Sequence, residues 1–336
     1  MAIQTIWSKR TSIEIDALIT RIKPDVIHAH NTFPLISPSL FWIAARHKIP
    51  TVQTLHNFRM LCVGALLLRD GYICEDCINK VQWRGVLHRC YRRSLLASAG
   101  LASMLTVHRL IGTFKNKVTR YIALNPFCMT KFIEGGLPAD KIVIKPNFSD
   151  RMLKLPATER TNGLYVGRLS VEKGIGILAN ALSIASDVCL DIIGDGPAAK
   201  ELAEVKSVRM LGKQAASQIY ESMLRSKYMI IPSIWYENHP RTLVEAYSCG
   251  LPVIASRIGA LAELVEDGRT GLLFSPGSSE DLAKKIIWAE THPDEMLQMG
   301  KNARTEYDKK YSPEINYRQL IAVYDDAIRA AATSNK

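Results

Sequence analysis

Short apolar runs alternate with helix-length stretches through the second half of the chain. The runs are Gly163 to Val166, Val188 to Ile193, Val208 to Leu211, Met229 to Pro232, Val253 to Ala255 and Gly271 to Phe274. An apolar run bounded by turn residues reads as a strand buried on both faces. Such strands joined by helices build a doubly wound parallel sheet, so the fold class is α/β. The first half carries the same signal more sparsely. Strands are expected at Val26 to Ala29, Thr51 to Leu55, Tyr121 to Leu124 and Ile142 to Lys145. Helices are expected over Ser12 to Ile22, near Ser39 to His47 and near Thr130 to Glu134. A chain of 336 residues holds two ordinary domains. Pro146 and Asn147 read as the start of a linker, which gives domains 1–147 and 148–312. Pro313 to Ala331 reads as a long terminal helix, within a segment 313–332 of its own.

Composition narrows the function classes. With 47% hydrophobic and 22% charged residues, the chain reads as a soluble globular protein. No run of about 20 apolar residues is present to span a bilayer. Met1 to Arg10 lacks the apolar core of a signal peptide. Seven cysteines, an odd number, argue against a disulfide scaffold and for a reducing cytoplasm. The net charge of +11 is unevenly placed: from Cys77 to Ile133 there is no acidic residue. That stretch holds Arg84, Arg89, Arg92, Arg93 and Arg109, and the small-and-apolar run Ser94 to Val107. Basic residues beside an apolar helix suit an anionic membrane surface, peripheral at its inner face, and equally suit a buried helical hairpin with solvated ends. No nucleic-acid module accompanies the charge, so nucleic-acid binding is not expected.

Polar residues stand where ligands of an open α/β sheet bind, at the carboxyl ends of strands. They are His30 and Asn31 after one expected strand, and His56 and Asn57 after the next. In the second half, Glu237 and Glu245 flank the start of an expected helix that Pro240 opens and Gly250 closes. The free amides near Asn238 to Thr242 offer an anion site. Carboxylates around it can accept hydrogen bonds from neighbouring sugar hydroxyls. The pattern fits a sugar nucleotide, and it also fits an ordinary amphipathic helix with two surface acids. Separately, Cys74 and Cys77 have C-x-x-C spacing, with Cys62 and Cys90 on either side. Four thiolates can enclose a structural zinc ion. Unremarkable thiols, redox chemistry and iron–sulfur binding stay open beside that reading.

The segments Y-V-G-R-L-S-V-E-K-G (165–174), I-I-G-D-G-P (192–197), W-Y-E-N-H-P-R-T-L-V-E (235–245) and G-R-T-G-L-L-F (268–274) occur in one order. In this the chain resembles the retaining nucleotide-sugar glycosyltransferases of family 4. The resemblance implies the GT-B fold, two Rossmann-like domains facing a cleft, with the terminal helix crossing back to the first. It implies that Arg168 and Lys173 stabilise the donor diphosphate, so that catalysis needs no metal cofactor. Glu245 would hold the ribose. Glu237 would meet the transferred sugar or the leaving phosphate, helped by the amides of Asn238 and His239. The family often has Gly-Phe where Asn238-His239 stand. Gly167, Gly194 and Gly196 would line the nucleotide, and His56 would contact the donor sugar. His30, Asn31 and Asn57 fall on the acceptor side.

The implied partners are a nucleotide-sugar donor (UDP-, GDP- or similar) and a glycan or lipid-linked acceptor for cell-surface polysaccharide. Relatives begin with a further strand and a glycine-rich loop. Here about 23 residues precede Pro24 and no glycine precedes Gly64. The first domain is therefore expected to be incomplete at its amino terminus. A non-catalytic nucleotide-sugar-binding protein derived from such an enzyme is the alternative reading.

Overall fold

The computed structural model describes residues 2–32, 36–150 and 160–334. The described residues divide into two compact units. One holds the residues up to Arg69, Cys74–Lys145 and those from Tyr317 onward; the other holds Asp70–Ile73 and Pro146–Asn316. The helix Pro313–Ser334 thus begins in the second unit and continues among the residues of the first.

The first unit is built on a parallel sheet of β1 (Ile27–Ala29), β2 (Thr51–Thr54), β3 (Arg120–Ala123) and β4 (Ile142–Ile144), in the order β1-β2-β3-β4. The terminal helix covers it: Val323 and Ala327 pack on Val52 of β2 and Ile122 of β3. An ion pair from Arg120 to Asp326 at 2.5 Å pins the same helix. Several helices start earlier than the apolar pattern suggests, because polar caps rather than apolar residues set their first turns. Ser8 caps the helix Lys9–Ile22 through the Thr11 amide. Asn125 caps Pro126–Glu134, accepting from the Cys128 N–H at 2.8 Å, with proline in the first turn. The apolar run after Ser94 is the helix Leu95–Leu110, which buries Leu101, Met104, Leu105 and His108 and leaves Leu96 and Leu110 in solvent.

The second unit carries six parallel strands: β5 (Thr161–Val166), β6 (Leu190–Ile193), β7 (Val208–Gly212), β8 (Ser226–Ile231), β9 (Val253–Ser256) and β10 (Gly271–Phe274). Their order is β10-β9-β8-β5-β6-β7. Strand side chains alternate faces, and both faces are apolar, so each run reads as continuous in sequence. Tyr165, Ile192, Tyr228, Ile230, Ile254, Leu272 and Phe274 enter the core on one side. Leu164, Ile193, Met229, Ile231, Val253, Ala255 and Leu273 enter the core on the other. Each such side chain, fully buried, contributes roughly 1.5–3 kcal/mol. Two helical layers therefore hold this sheet, and it can support loops under strain at its carboxyl edge.

Candidate active site

The strand order of the second unit reverses between β5 and β8. From β5 the chain winds outward through β6 and β7, then returns to place β8 on the other flank of β5. Crossovers on the two sides of such a point leave a crevice outside the carboxyl ends of the two strands. The loop after β5 carries Gly167, Arg168 and Lys173; the loop after β8 carries Glu237, Asn238 and His239. Residues far apart in sequence thus meet for a topological reason.

The contact between the loops is specific. Lys173 Nζ donates to Glu237 Oε1 at 2.7 Å. The same oxygen accepts from Ser233 Oγ at 2.7 Å and from the Trp235 indole N–H at 3.0 Å. Glu237 is 5% exposed, and the Lys173 ammonium also lies 5.4 Å from the Trp235 ring centroid. Charge-assisted bonds in a partly desolvated setting fix both groups firmly. Oε2 of Glu237 makes no hydrogen bond among the described residues, and neither does the exposed Arg168 guanidinium. A main-chain bond from Ile234 N–H to Glu172 O at 3.1 Å ties the loops again. Beyond them runs the helix Arg241–Ser248. Pro240 stands at its cap position, one place before the first turn, and no side chain caps the first turn. Glu245 lies on that helix with Arg241 at 3.8 Å. Asn238 and His239 are buried, and the His239 carbonyl accepts from Asn147 at 3.0 Å.

The glycines here serve close backbone approach. Gly194 has φ 144°, and a Cβ on it would lie 1.9 Å from the Gly167 carbonyl oxygen; one on Gly196 would lie 2.2 Å from that of Leu169. Main-chain bonds from Gly167 to Ile193 and from Leu169 to Asp195, both at 3.0 Å, zip the two turns together. What the structure shows of Gly194 and Gly196 is therefore support for the Arg168 loop.

In the first unit the residues after β1 and β2 gather around a cavity of about 230 Å³. His30 Nδ1 and His56 Nε2 share a hydrogen bond of 2.7 Å, and Asn57 donates to Asn31 at 3.3 Å. His28 lies behind them, with its ring 4.3 Å from that of His30. It bonds Tyr324 OH and Thr54 Oγ1, each at 2.8 Å. Burial, then the neighbouring His30, Lys145 and His56, push the His28 imidazole down to about 4. Burial also lowers His30 and His56, and Lys145 adds to both effects. The cluster is thus held neutral and can donate and accept without carrying charge.

Comparison with known proteins agrees with this geometry. Residues 154–306 match the model for glycosyl transferases group 1, and residues 10–147 match that for the glycosyl transferase 4-like domain. The protein is a glycosyltransferase. An uncharacterized glycosyltransferase of Methanocaldococcus jannaschii is 27% identical over 94% of this chain and 94% of its own length. Sulfoquinovosyl transferase SQD2 of Arabidopsis thaliana is 24% identical over 87% of this chain and 54% of its own. Anabaena HepE in complex with UDP-glucose superposes with a TM-score of 0.65 at 18% identity, covering 96% of this chain and 82% of that one. A Rickettsia africae glycosyltransferase gives 0.70 at 17%, covering 95% and 81%. The fold is GT-B: two Rossmann-like units, each on a parallel sheet.

The glycosyltransferase brings Lys173 to Glu237, His30 to His56 and Asn31 to Asn57, while Arg168 makes no such contact. Participants that the sequence reading does not name include His28, Tyr324 and Ser233. His28 was accessible in principle, since H-A-H places two imidazoles on one face of a strand. Tyr324 meets His28 only through the terminal helix, which no local pattern reveals. No helix among the described residues is long and apolar enough to cross a membrane.

Proposed function

We propose that this glycosyltransferase moves a sugar from a nucleoside-diphosphate donor to a hydroxyl of a glycan or lipid-linked acceptor, with retention at the anomeric carbon. The observation that carries the reading is the pairing of Lys173 with Glu237 beside an uncommitted Arg168 at the switch point of the second unit. Breaking the anomeric bond loads negative charge onto the departing diphosphate. Fixed cations lower that barrier most when they are oriented before the reaction. Glu237 does the orienting: its Oε1 holds the Lys173 ammonium, and its Oε2 is left for a sugar hydroxyl. Arg168 supplies a bidentate fork for phosphate oxygens. The uncapped amides at the start of Arg241–Ser248 add a partial positive charge. Glu245 then receives the ribose hydroxyls. With these cations supplying the electrostatic stabilisation, the proposed reaction uses no catalytic metal.

The neutral imidazoles of His56 and His30 suit hydrogen bonding to sugar hydroxyls. Same-face substitution, with the departing phosphate taking the acceptor proton, comes from the family resemblance. UDP-glucose bound to Anabaena HepE supports a uridine donor. The likeness to amylovoran biosynthesis glycosyltransferase AmsK of Erwinia amylovora, 26% identical over 58% of this chain, supports polysaccharide building. Exposed Trp83, Leu87, Leu95 and Leu96 beside Arg84, Arg89, Arg92 and Arg93 support peripheral attachment to an anionic membrane. The test is single-turnover assay of sugar transfer from a panel of UDP- and GDP-sugars, with the anomer of the product read by NMR. A retained anomer from one donor class is expected; an inverted product would overturn the mechanism.

A further inference from the structure

The connection between β2 and the helix Leu95–Leu110 is long and holds only short regular elements, the helix Trp83–Leu87 among them, yet it is folded into one shape. Its backbone pays for that shape locally. Ala65, Leu67, Asn79, Arg89, Arg92 and Arg93 all take left-handed conformations, with φ between 50° and 66°. Such conformations disfavour residues with side chains, Leu67 most of all, and persist only where surroundings over-determine them. Phe58, Leu61, Val63, Ala65 and Leu67 anchor its first part in the core, but over residues 68–90 Tyr72, Val81, Trp83 and Leu87 stand in solvent, so that part has few apolar contacts to fix it.

The four cysteines singled out in the sequence come together here. Cys62, Cys74, Cys77 and Cys90 line one cavity of about 10 Å³. That is room for about one atom. All four are reduced, and Cys62 and Cys77 are buried. Main-chain bonds set their turns: Cys62 N–H to Phe58 O, Cys74 N–H to Leu67 O and Cys90 N–H to Gly85 O, each at 2.9 Å. Arg69 and Arg84 also line the cavity, and both pair with Asp76, at 3.0 and 3.3 Å. Two guanidinium groups against one carboxylate leave a net positive charge beside the four sulfurs. As placed, no three His, Cys, Asp or Glu side chains among the described residues form a ready-made metal cage. Closing on an ion therefore requires the four thiols to draw together from where they stand.

We propose that Cys62, Cys74, Cys77 and Cys90 bind a single structural zinc ion that staples the connection between residues 62 and 90. Four soft thiolates in a pocket of this size favour zinc with closed tetrahedral coordination. The site leaves no open position for substrate, so its role is to hold the loop that also carries Met60 and Tyr91 into the wall of the histidine cavity. Binding free energy at such a site is folding free energy, because the unfolded chain has no preformed cage.

The test is elemental analysis of the full chain purified without chelators, with a mercurial titration of the wild type alongside. About one zinc per chain is expected, released stoichiometrically as the mercurial consumes four thiols. The Cys74→Ser/Cys77→Ser variant should fall to about a tenth of that zinc content or less, and Cys189→Ser should keep it in full. Should the double variant not fold, cobalt exchanged into the wild type must show thiolate-to-metal charge transfer. The proposal is overturned by a folded wild type that neither contains zinc nor takes it up on dialysis against it. Stoichiometric iron, or zinc that survives in the folded double variant, would overturn it equally.

Discussion

The two candidate ligand regions of this enzyme are built around different groups, a buried ion pair in one and a cluster of imidazoles in the other. The edge of the second sheet holds formal charges: a buried carboxylate locks an ammonium, and a guanidinium stands beside them. The edge of the first sheet holds imidazoles that burial and the nearby Lys145 keep neutral, hydrogen-bonded to one another and to hydroxyls, with Arg59 in the wall of their cavity. The difference matches two chemical tasks. A departing diphosphate needs fixed positive charge, whereas sugar hydroxyls need donors and acceptors that do not draw the diphosphate away.

The comparison can be broken at its charged side first. Arg168→Ala should lower kcat by about a hundredfold or more, the scale of losing one transition-state charge partner, with the thermal midpoint little changed. Wild-type turnover in that variant would remove the guanidinium from the mechanism. Lys173→Ala should cost somewhat less in rate but more in stability. It strands a carboxylate that is 5% exposed, for about 2 kcal/mol. Since Glu237 acts through Lys173 as well as directly, Lys173→Ala and Glu237→Gln should combine to less than the product of their separate rate losses. Fully multiplicative losses would mean that the pair observed at 2.7 Å has no working consequence. Glu245→Ala should weaken donor affinity about tenfold, the loss of a charged hydrogen-bond acceptor, while kcat at saturation changes less. Unchanged affinity would defeat the ribose assignment.

The neutral side is sharpened by pH. The folded His28 titrates at about 4 and the unfolded one near 6.5, so between these values the unfolded chain binds more protons. Stability from this group is complete above pH 6.5 and is lost as the pH falls towards 4. The thermal midpoint should therefore decline over that window, and His28→Asn should flatten the decline. An equally steep slope in the variant would assign the acid sensitivity elsewhere.

The sheet of the second unit was legible in sequence because burial on both faces makes its inner strands largely apolar runs, while the edge strand β7, with Arg209 and Met210 exposed, carries the signal more weakly. Every run expected there is a strand, with Gly271–Phe274 bounded as expected and the other ends shifted by at most three residues. The helix Pro126–Glu134 was read late, because Asn125-Pro126 looks like a turn until the asparagine is seen to cap the first turn. In the site, Arg168, Lys173 and Glu237 could be named from their motif. That Glu237 spends one oxygen on Lys173, Ser233 and Trp235 could not, since the contact depends on β8 returning beside β5. His28 and Tyr324 show the same limit: one half of the pair has a local signature, and the other arrives on a helix almost 300 residues later.

The central claim is that the charged region, and not the neutral one, meets the donor diphosphate. Calorimetric titration of UDP into the wild type, Arg168→Ala and His56→Gln tests it most directly. The account predicts binding to the wild type, at least about tenfold weaker binding in Arg168→Ala, and binding in His56→Gln within about twofold of wild type, because only the first variant removes a charge partner of phosphate. Equal affinity in the wild type and Arg168→Ala, with loss in His56→Gln, would contradict it.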